Sequence, residues 1–100
     1  MNIKDLHQDT KAISTASLFK TENGNVTSIQ ILTNEQLKEH ITKVPALLLC
    51  LTGEAIFENE NGIKLTLKTG DYVNIEPNTK HWINSKSTSN LIYYLLEFLK

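Results

Sequence analysis

Few side chains in this sequence are equipped for chemistry. The segment GDYVNIEPNTKHW, Gly70 to Trp82, turns at Gly70-Asp71, alternates through a short strand and breaks at Glu76-Pro77-Asn78. It then resumes with His81 beside the only tryptophan. An imidazole where a strand restarts behind a tight corner serves one of two purposes. Either it acts in a pocket as a ligand or proton acceptor, or it bonds a backbone carbonyl as a structural residue. Of the remaining candidates, Cys50 is the lone cysteine and reads first as a small buried hydrophobe. Tyr93 and Tyr94 point to opposite faces if they lie in a strand, so either can supply a pocket hydroxyl, and alternation alone does not choose between them. Trp82 points away from the face that His81 takes and reads as burial between sheets or between subunits. The carboxylates show no spacing that makes an acid-base pair, and Glu39 and Glu76 read as solvated.

These residues must be held by strands. Turn formers punctuate the chain at Asn23-Gly24-Asn25, Gly53, Asn59-Glu60-Asn61-Gly62, Gly70-Asp71 and Pro77-Asn78. Between them lie runs of strand length: ASLFK, VTSIQIL, PALLLCLT, EAIFEN, IKLTL, DYVNI, HWIN and LIYYLLEF. Short strands at regular spacing, with Asn-Gly at two junctions, predict an antiparallel all-β sandwich or barrel. Residues 33–43, TNEQLKEHITK, leave two readings open. Thr33 followed by Gln36 has the form of a helix capping box, and the same residues also suit a bend leading into a strand. The β-rich composition of LIYY favours a final strand over a helix. Residues 1–11 read as an irregular lead-in, with Ile3 and Leu6 at helical spacing.

Composition narrows the class. One hundred residues with 40% hydrophobic content make one domain with one modest core. Ten basic against eleven acidic residues, with no basic stripe interleaved with aromatics, argue against a nucleic-acid partner. No apolar run approaches the roughly 20 residues that span a bilayer, and MNIKDLHQDT is too polar for a signal segment. A single cysteine suits a reducing compartment, so the expected location is cytoplasmic. In PALLLCLT, Ala46, Leu48 and Cys50 share one face while Leu47, Leu49 and Leu51 share the other. A strand apolar on both sides is covered on both sides. With no confident helix in the sequence, a second copy of the chain is the expected cover, giving a homodimer.

The spacing of the punctuation resembles that of a small single-domain cupin. The first cupin motif runs Gly, five residues, His-x-His, three or four residues, Glu, six residues, Gly. Laid on this chain without a gap it falls on Asn34, His40, Thr42, Ala46 and Gly53. The second runs Gly, five residues, Pro-x-Gly, two residues, His, three residues, Asn, and falls on Gly70, Glu76, Asn78, His81 and Ser85, with Pro77 one place late. The match covers about half of the chain and keeps spacing better than letters. Asn34 and Asn78 stand where the family has glycine, and asparagine is the residue that best tolerates left-handed backbone after glycine.

The resemblance implies an antiparallel jelly-roll β-barrel of cupin type, a single domain over residues 1–100, with a mouth lined by His40, Thr42, Ala46, Leu48, His81 and Ile83. Typical members hold a divalent metal with three histidines and a glutamate. Here Thr42 and Ala46 take two of those four places, and only His40 and His81 remain as metal ligands, for zinc, nickel, iron or manganese held weakly. Cys50 is the one replacement ligand that can be named, but strand rise puts it about 13 Å from Ala46. The expected function is therefore binding of an unidentified small molecule, non-catalytic or weakly metal-dependent. Two alternatives stand beside it: a metalloenzyme of dioxygenase or isomerase type acting through His40 and His81, and a dimerising module whose interior is packed shut.

Overall fold

The computed structural model describes residues 1–8 and 10–96. Alternating apolar and polar residues between the turn formers build nine strands among them: β1 (Ile13–Thr21), β2 (Gly24–Ile31), β3 (Gln36–His40), β4 (Ala46–Thr52), β5 (Ala55–Asn59), β6 (Lys64–Leu67), β7 (Tyr72–Ile75), β8 (His81–Ser85) and β9 (Ser89–Leu96). They form two antiparallel sheets, one of five strands in the order β1-β2-β9-β4-β7 and one of four in the order β3-β8-β5-β6. This is the antiparallel all-β arrangement that the punctuation predicts, in the jelly-roll form that the resemblance implies. The last two residues of the expected final strand, Glu97 and Phe98, lie outside the described residues.

Residues 33–43 resolve in favour of the strand. Asn34 turns the chain with φ 64°, and β3 then pairs with β8 through Gln36↔Asn84, Leu37↔Ile83 and His40↔His81. Both asparagines at family glycine positions are left-handed, Asn78 having φ 61°. The side-chain oxygen of asparagine bonds locally and offsets the strain that would exclude a branched residue there.

The two sheets face each other across a dry core. Leu48 and Cys50 of β4, Phe57 of β5, Ile83 of β8 and Leu91 of β9 are each 0 or 1% exposed. Burying side chains of this size stabilises by about 1.5–3 kcal/mol each. On the far side of β4, Leu47, Leu49 and Leu51 are only half-buried, so that face has partial cover within the chain.

Some of that cover comes from the lead-in, which is more ordered than its sequence predicts. Ile3–Leu6 form a 3-10 turn capped by Asn2, whose side chain accepts from the Lys4 N–H. His7 then pins the segment to the outer face of the five-stranded sheet, with Nδ1 2.8 Å from Ser14 Oγ and Nε2 2.8 Å from Ser28 Oγ. Among the described residues no helix is long and apolar enough to cross a membrane.

Candidate functional site

His40 and His81 meet as cross-strand partners at the end of the β3-β8 pair. Leu37 and His40 are three residues apart, so strict alternation would put them on opposite faces. The ladder, however, moves from Leu37↔Ile83 to His40↔His81 with one extra residue on β3. That bulge turns His40 to the same inner face as Leu37, the re-aiming for which bulges beside functional sites are known. The two imidazole rings lie edge to face with centroids 4.1 Å apart.

The opposite sheet contributes the third member. Tyr93 pairs with Leu48 across β4 and β9 and therefore shares the inward face of Ala46 and Leu48. Its hydroxyl lies 3.3 Å from His81 Nε2 and 3.5 Å from His40 Nε2. Tyr94, one residue on, faces outward and is 36% exposed. The ambiguity between the two tyrosines is thus settled by register: once β4 and β9 are neighbours, the parity of Leu48 fixes Tyr93 inside.

Each histidine is oriented by the carbonyl two residues before it. The Nδ1–H of His81 donates to the Thr79 carbonyl at 3.1 Å, and that of His40 to the Lys38 carbonyl at 3.2 Å. A ring nitrogen facing a carbonyl must carry the proton, so in the neutral ring the Nε2 atoms are lone-pair acceptors. His81 is completely buried and its ring stacks on Phe57 with centroids 5.8 Å apart, while His40 is half-buried and forms the solvent side of the cluster. Burial holds the pKa of His81 below the ordinary histidine value. The Thr79 carbonyl works against that depression, and the neighbouring His40 adds to it. Burial also pushes the Tyr93 hydroxyl up to about 12, against an opposing hydrogen bond with Thr42.

The remaining expected pocket residues divide into rim and core. Thr42 is half-buried at the rim, and its hydroxyl donates to the Val44 carbonyl at 3.0 Å. Ala46 lies beneath it at 7% exposure. Leu48 and Ile83 are fully buried members of the hydrophobic core behind the histidines. Cys50 sits at the other end of the molecule, its thiol directed to the Thr52 and Gly53 carbonyls at 3.5 and 3.7 Å, and burial raises its pKa, with Asp71 adding to the shift. Trp82 lies on the outer face of the four-stranded sheet and donates from Nε1 to Glu58 Oε2 at 3.2 Å.

The four-ligand metal set of typical cupins does not fit this chain. Thr42 is committed to Val44, Ala46 has no donor atom, and the described residues contain no group of three or more histidine, cysteine, aspartate and glutamate side chains that could hold an ion. Surface clefts of 310 to 480 Å³ open elsewhere, on the outer face of the five-stranded sheet, against the lead-in and beside Trp82. The histidines and Tyr93 are not among their linings.

No protein-family model matches the chain, and no curated protein matches it significantly. Solved structures do. A cupin superfamily protein from Desulfitobacterium hafniense superposes with a TM-score of 0.87 at 17% identity, over 96% of this chain and 87% of that one. KdgF from a Halomonas species gives 0.80 at 19% identity, over 95% and 92%, and an RmlC-like cupin from Shewanella frigidimarina gives 0.81 at 14% identity, over 93% and 83%. The chain has the cupin fold.

Proposed function

We propose that this protein is a small-ligand-binding barrel whose polar recognition point is the cluster of His40, His81 and Tyr93. One observation carries the reading. Two imidazole nitrogens with their lone pairs free converge on one hydroxyl, which has a single proton to give. One acceptor is therefore left without a protein donor, and where a ligand shields the cluster from water an acceptor left unpaired costs about 1–3 kcal/mol. A ligand that brings its own hydrogen-bond donor recovers that energy. Because Phe57, Leu48 and Ile83 fill the space behind the histidines, the ligand presents a small O–H or N–H group past the half-buried edge of His40 and leaves its bulk at the mouth. The single buried Cys50 suits a reducing cytoplasm as the setting.

The experiment is a ligand-detected NMR screen of fragment pairs, each an alcohol or amide set beside its O- or N-methylated analogue. Donor-bearing members are expected to bind and their methylated partners not to, with binding lost in His40→Ala. Binding that ignores methylation, or that survives His40→Ala unchanged, refutes the assignment.

We also propose that a second copy covers the outer face of the five-stranded sheet. Leu47 and Leu49 of β4, Ile92 and Tyr94 of β9 and Val26 of β2 are cross-strand neighbours there. Phe19, opposite Val26, and Tyr72, opposite Leu49, extend the apolar surface to both edge strands and are each 62% exposed. The lead-in covers only part of this face, with His7 on Ser14 and Ser28 and residues 1–4 beside Leu51. An apolar surface across all five strands is one that a second copy could cover about a two-fold axis.

A further inference from the structure

Trp82 has no part in the mouth or in the proposed contact between copies. It does not lie between the sheets, as its sequence suggests, but half-buried on the outer face of the four-stranded sheet. The bulge that turns His40 inward also shapes its surroundings. Between Leu37↔Ile83 and His40↔His81, β3 has two residues, Lys38 and Glu39, where β8 has only Trp82. A bulge sets two residues against one, and here Lys38, Glu39 and Gln36 line with the indole a cleft of about 310 Å³. We infer that this cleft is a second binding site, for a neutral pyranose sugar stacked on the Trp82 ring.

Three features favour a sugar. The first is the platform. The Nε1–H of Trp82 donates to Glu58 Oε2 at 3.2 Å, which holds the plane of the indole before anything binds, so little freedom is lost on stacking. The face of an indole is electron-rich, and a pyranose presents to it the weakly positive hydrogens of its ring carbons. The second is the mixture of polar groups at the edge of the cleft. Lys38 donates, Glu39 accepts and Gln36 does both, and all three are exposed. A sugar hydroxyl also donates and accepts, so each of these side chains can pair with one. The third is charge. On its other side Trp82 is opposite Glu58, which is in turn opposite Lys64, so two lysines and two glutamates surround the indole and cancel. A nucleotide stacks equally well, but its phosphates call for an excess of basic residues. An organic cation would meet the two lysines. An uncharged ring of hydroxyls needs no excess of either sign.

Size agrees with chemistry. The cleft lies at the lower end of the range of about 300–1,000 Å³ for ligand pockets, which suits one ring rather than several. Its position also keeps it apart from the mouth. His81 and Trp82 are consecutive residues of β8 on opposite faces, so the two sites share a strand and no surface, and a sugar on the indole reaches neither imidazole.

The test is fluorescence on the full chain, because Trp82 is the only tryptophan and its emission reports this cleft alone. The methyl glycosides of glucose, galactose, mannose and N-acetylglucosamine are titrated into wild type, Glu39→Ala and His40→Ala, each checked for folding by its circular dichroism melt. Sorbitol, which has the hydroxyls without the ring face, is the control. At least one glycoside is expected to change the emission saturably, with a dissociation constant of about 1 mM for a single ring in an open cleft, and sorbitol is expected to have no effect. Glu39→Ala should bind that glycoside about tenfold more weakly, the scale of a hydrogen bond to a charged group, with its melt unchanged because the residue is exposed. His40→Ala should bind it as wild type does. Emission that no glycoside alters, an equal response to sorbitol, or unchanged affinity in Glu39→Ala refutes the site and leaves the fragment result at the mouth intact. Binding lost in His40→Ala moves the sugar to the mouth, and emission that follows protein concentration instead of sugar gives the face to a second copy; either result overturns the proposal.

Discussion

Three glycines share nearly the same backbone conformation, and replacing each with alanine separates two reasons for a glycine. Gly53, Gly62 and Gly70 have φ of 88°, 87° and 89°. An alanine there meets the same backbone strain, about 1–2 kcal/mol, reduced by about 0.4–1 kcal/mol because alanine also restricts the unfolded chain. Gly62→Ala and Gly70→Ala, with nothing within 4 Å of the new methyl, are therefore expected to destabilise by roughly 0–1.6 kcal/mol. Gly53 lies at the β4–β5 corner against the β8–β9 connection. A methyl there runs into the Thr88 carbonyl oxygen and comes within 2.7 Å of Ser89 Oγ and 2.8 Å of Ser89 Cα. Ser89 cannot give way cheaply: it is fully buried, and its hydroxyl is bonded to the Ser87 carbonyl at 2.8 Å and to Ser85 Oγ at 3.1 Å. Overpacking of this kind adds about 1–3 kcal/mol, so Gly53→Ala is expected to lose roughly 1–4.6 kcal/mol in total. Equilibrium urea denaturation of the three variants and wild type measures the differences directly. A Gly53→Ala loss within about 0.5 kcal/mol of Gly70→Ala, the scale of ordinary surface substitutions, would refute the steric account. Gly70→Asn should be milder than Gly70→Ala, because Asn34 and Asn78 already hold left-handed turns in this chain.

Two further expectations concern pH and assembly. Burial depresses the pKa of both His7 and His81, so just below the ordinary histidine value the unfolded chain takes up protons that the folded chain refuses. Stability is accordingly flat above about pH 6.5 and falls as pH drops through and below that value. His7→Asn should remove part of the slope in urea midpoints, and a wild-type midpoint that does not move on acidification contradicts the burial argument. Sedimentation velocity should show wild type as a dimer and Leu47→Glu as a monomer with an unchanged circular dichroism spectrum, whereas a monomeric wild type at micromolar concentration removes the proposed second copy.

The strands and corners were legible because each rests on a local rule. Gly53, Gly62 and Gly70 take positive φ where the sequence sets corners, and the inward alternation of Ala46, Leu48 and Cys50 reappears as burial. What alternation misplaces is His40. From Leu37, strict parity would turn it to the outer face, and only the extra residue in the β3–β8 ladder turns it inward. A bulge is decided by pairing with a strand some forty residues away, which no local pattern encodes. Tyr93 is a similar case: the choice over Tyr94 follows from strand adjacency, which the sequence does not state. The order of the lead-in was also hidden, since it depends on His7 meeting Ser28 on β2 and Ser14 on β1. The capping-box pattern at Thr33 and Gln36 lost to tertiary context, as β3 gains a full partner in β8 and Asn34 supplies the turn.

The substitutions at the mouth follow a consistent electrostatic logic. A glutamate at position 46, as in the family pattern, would sit on a residue that is 7% exposed, beside completely buried His81. Without a partner, a buried carboxylate costs several kcal/mol or takes up a proton. With Ala46 in that place and Tyr93 facing the histidines, the cluster holds no buried carboxylate. His81 is held unprotonated by burial, and Tyr93, pushed up to about 12, is held protonated. His81 and Tyr93 then bring no buried charge, and the cluster lacks only one protein donor. On the proposed reading, the cluster is formed before its ligand arrives, and a donor-bearing molecule would bind to it reversibly. Reversible occupancy suits a protein that binds and releases a ligand better than one that holds a permanent cofactor.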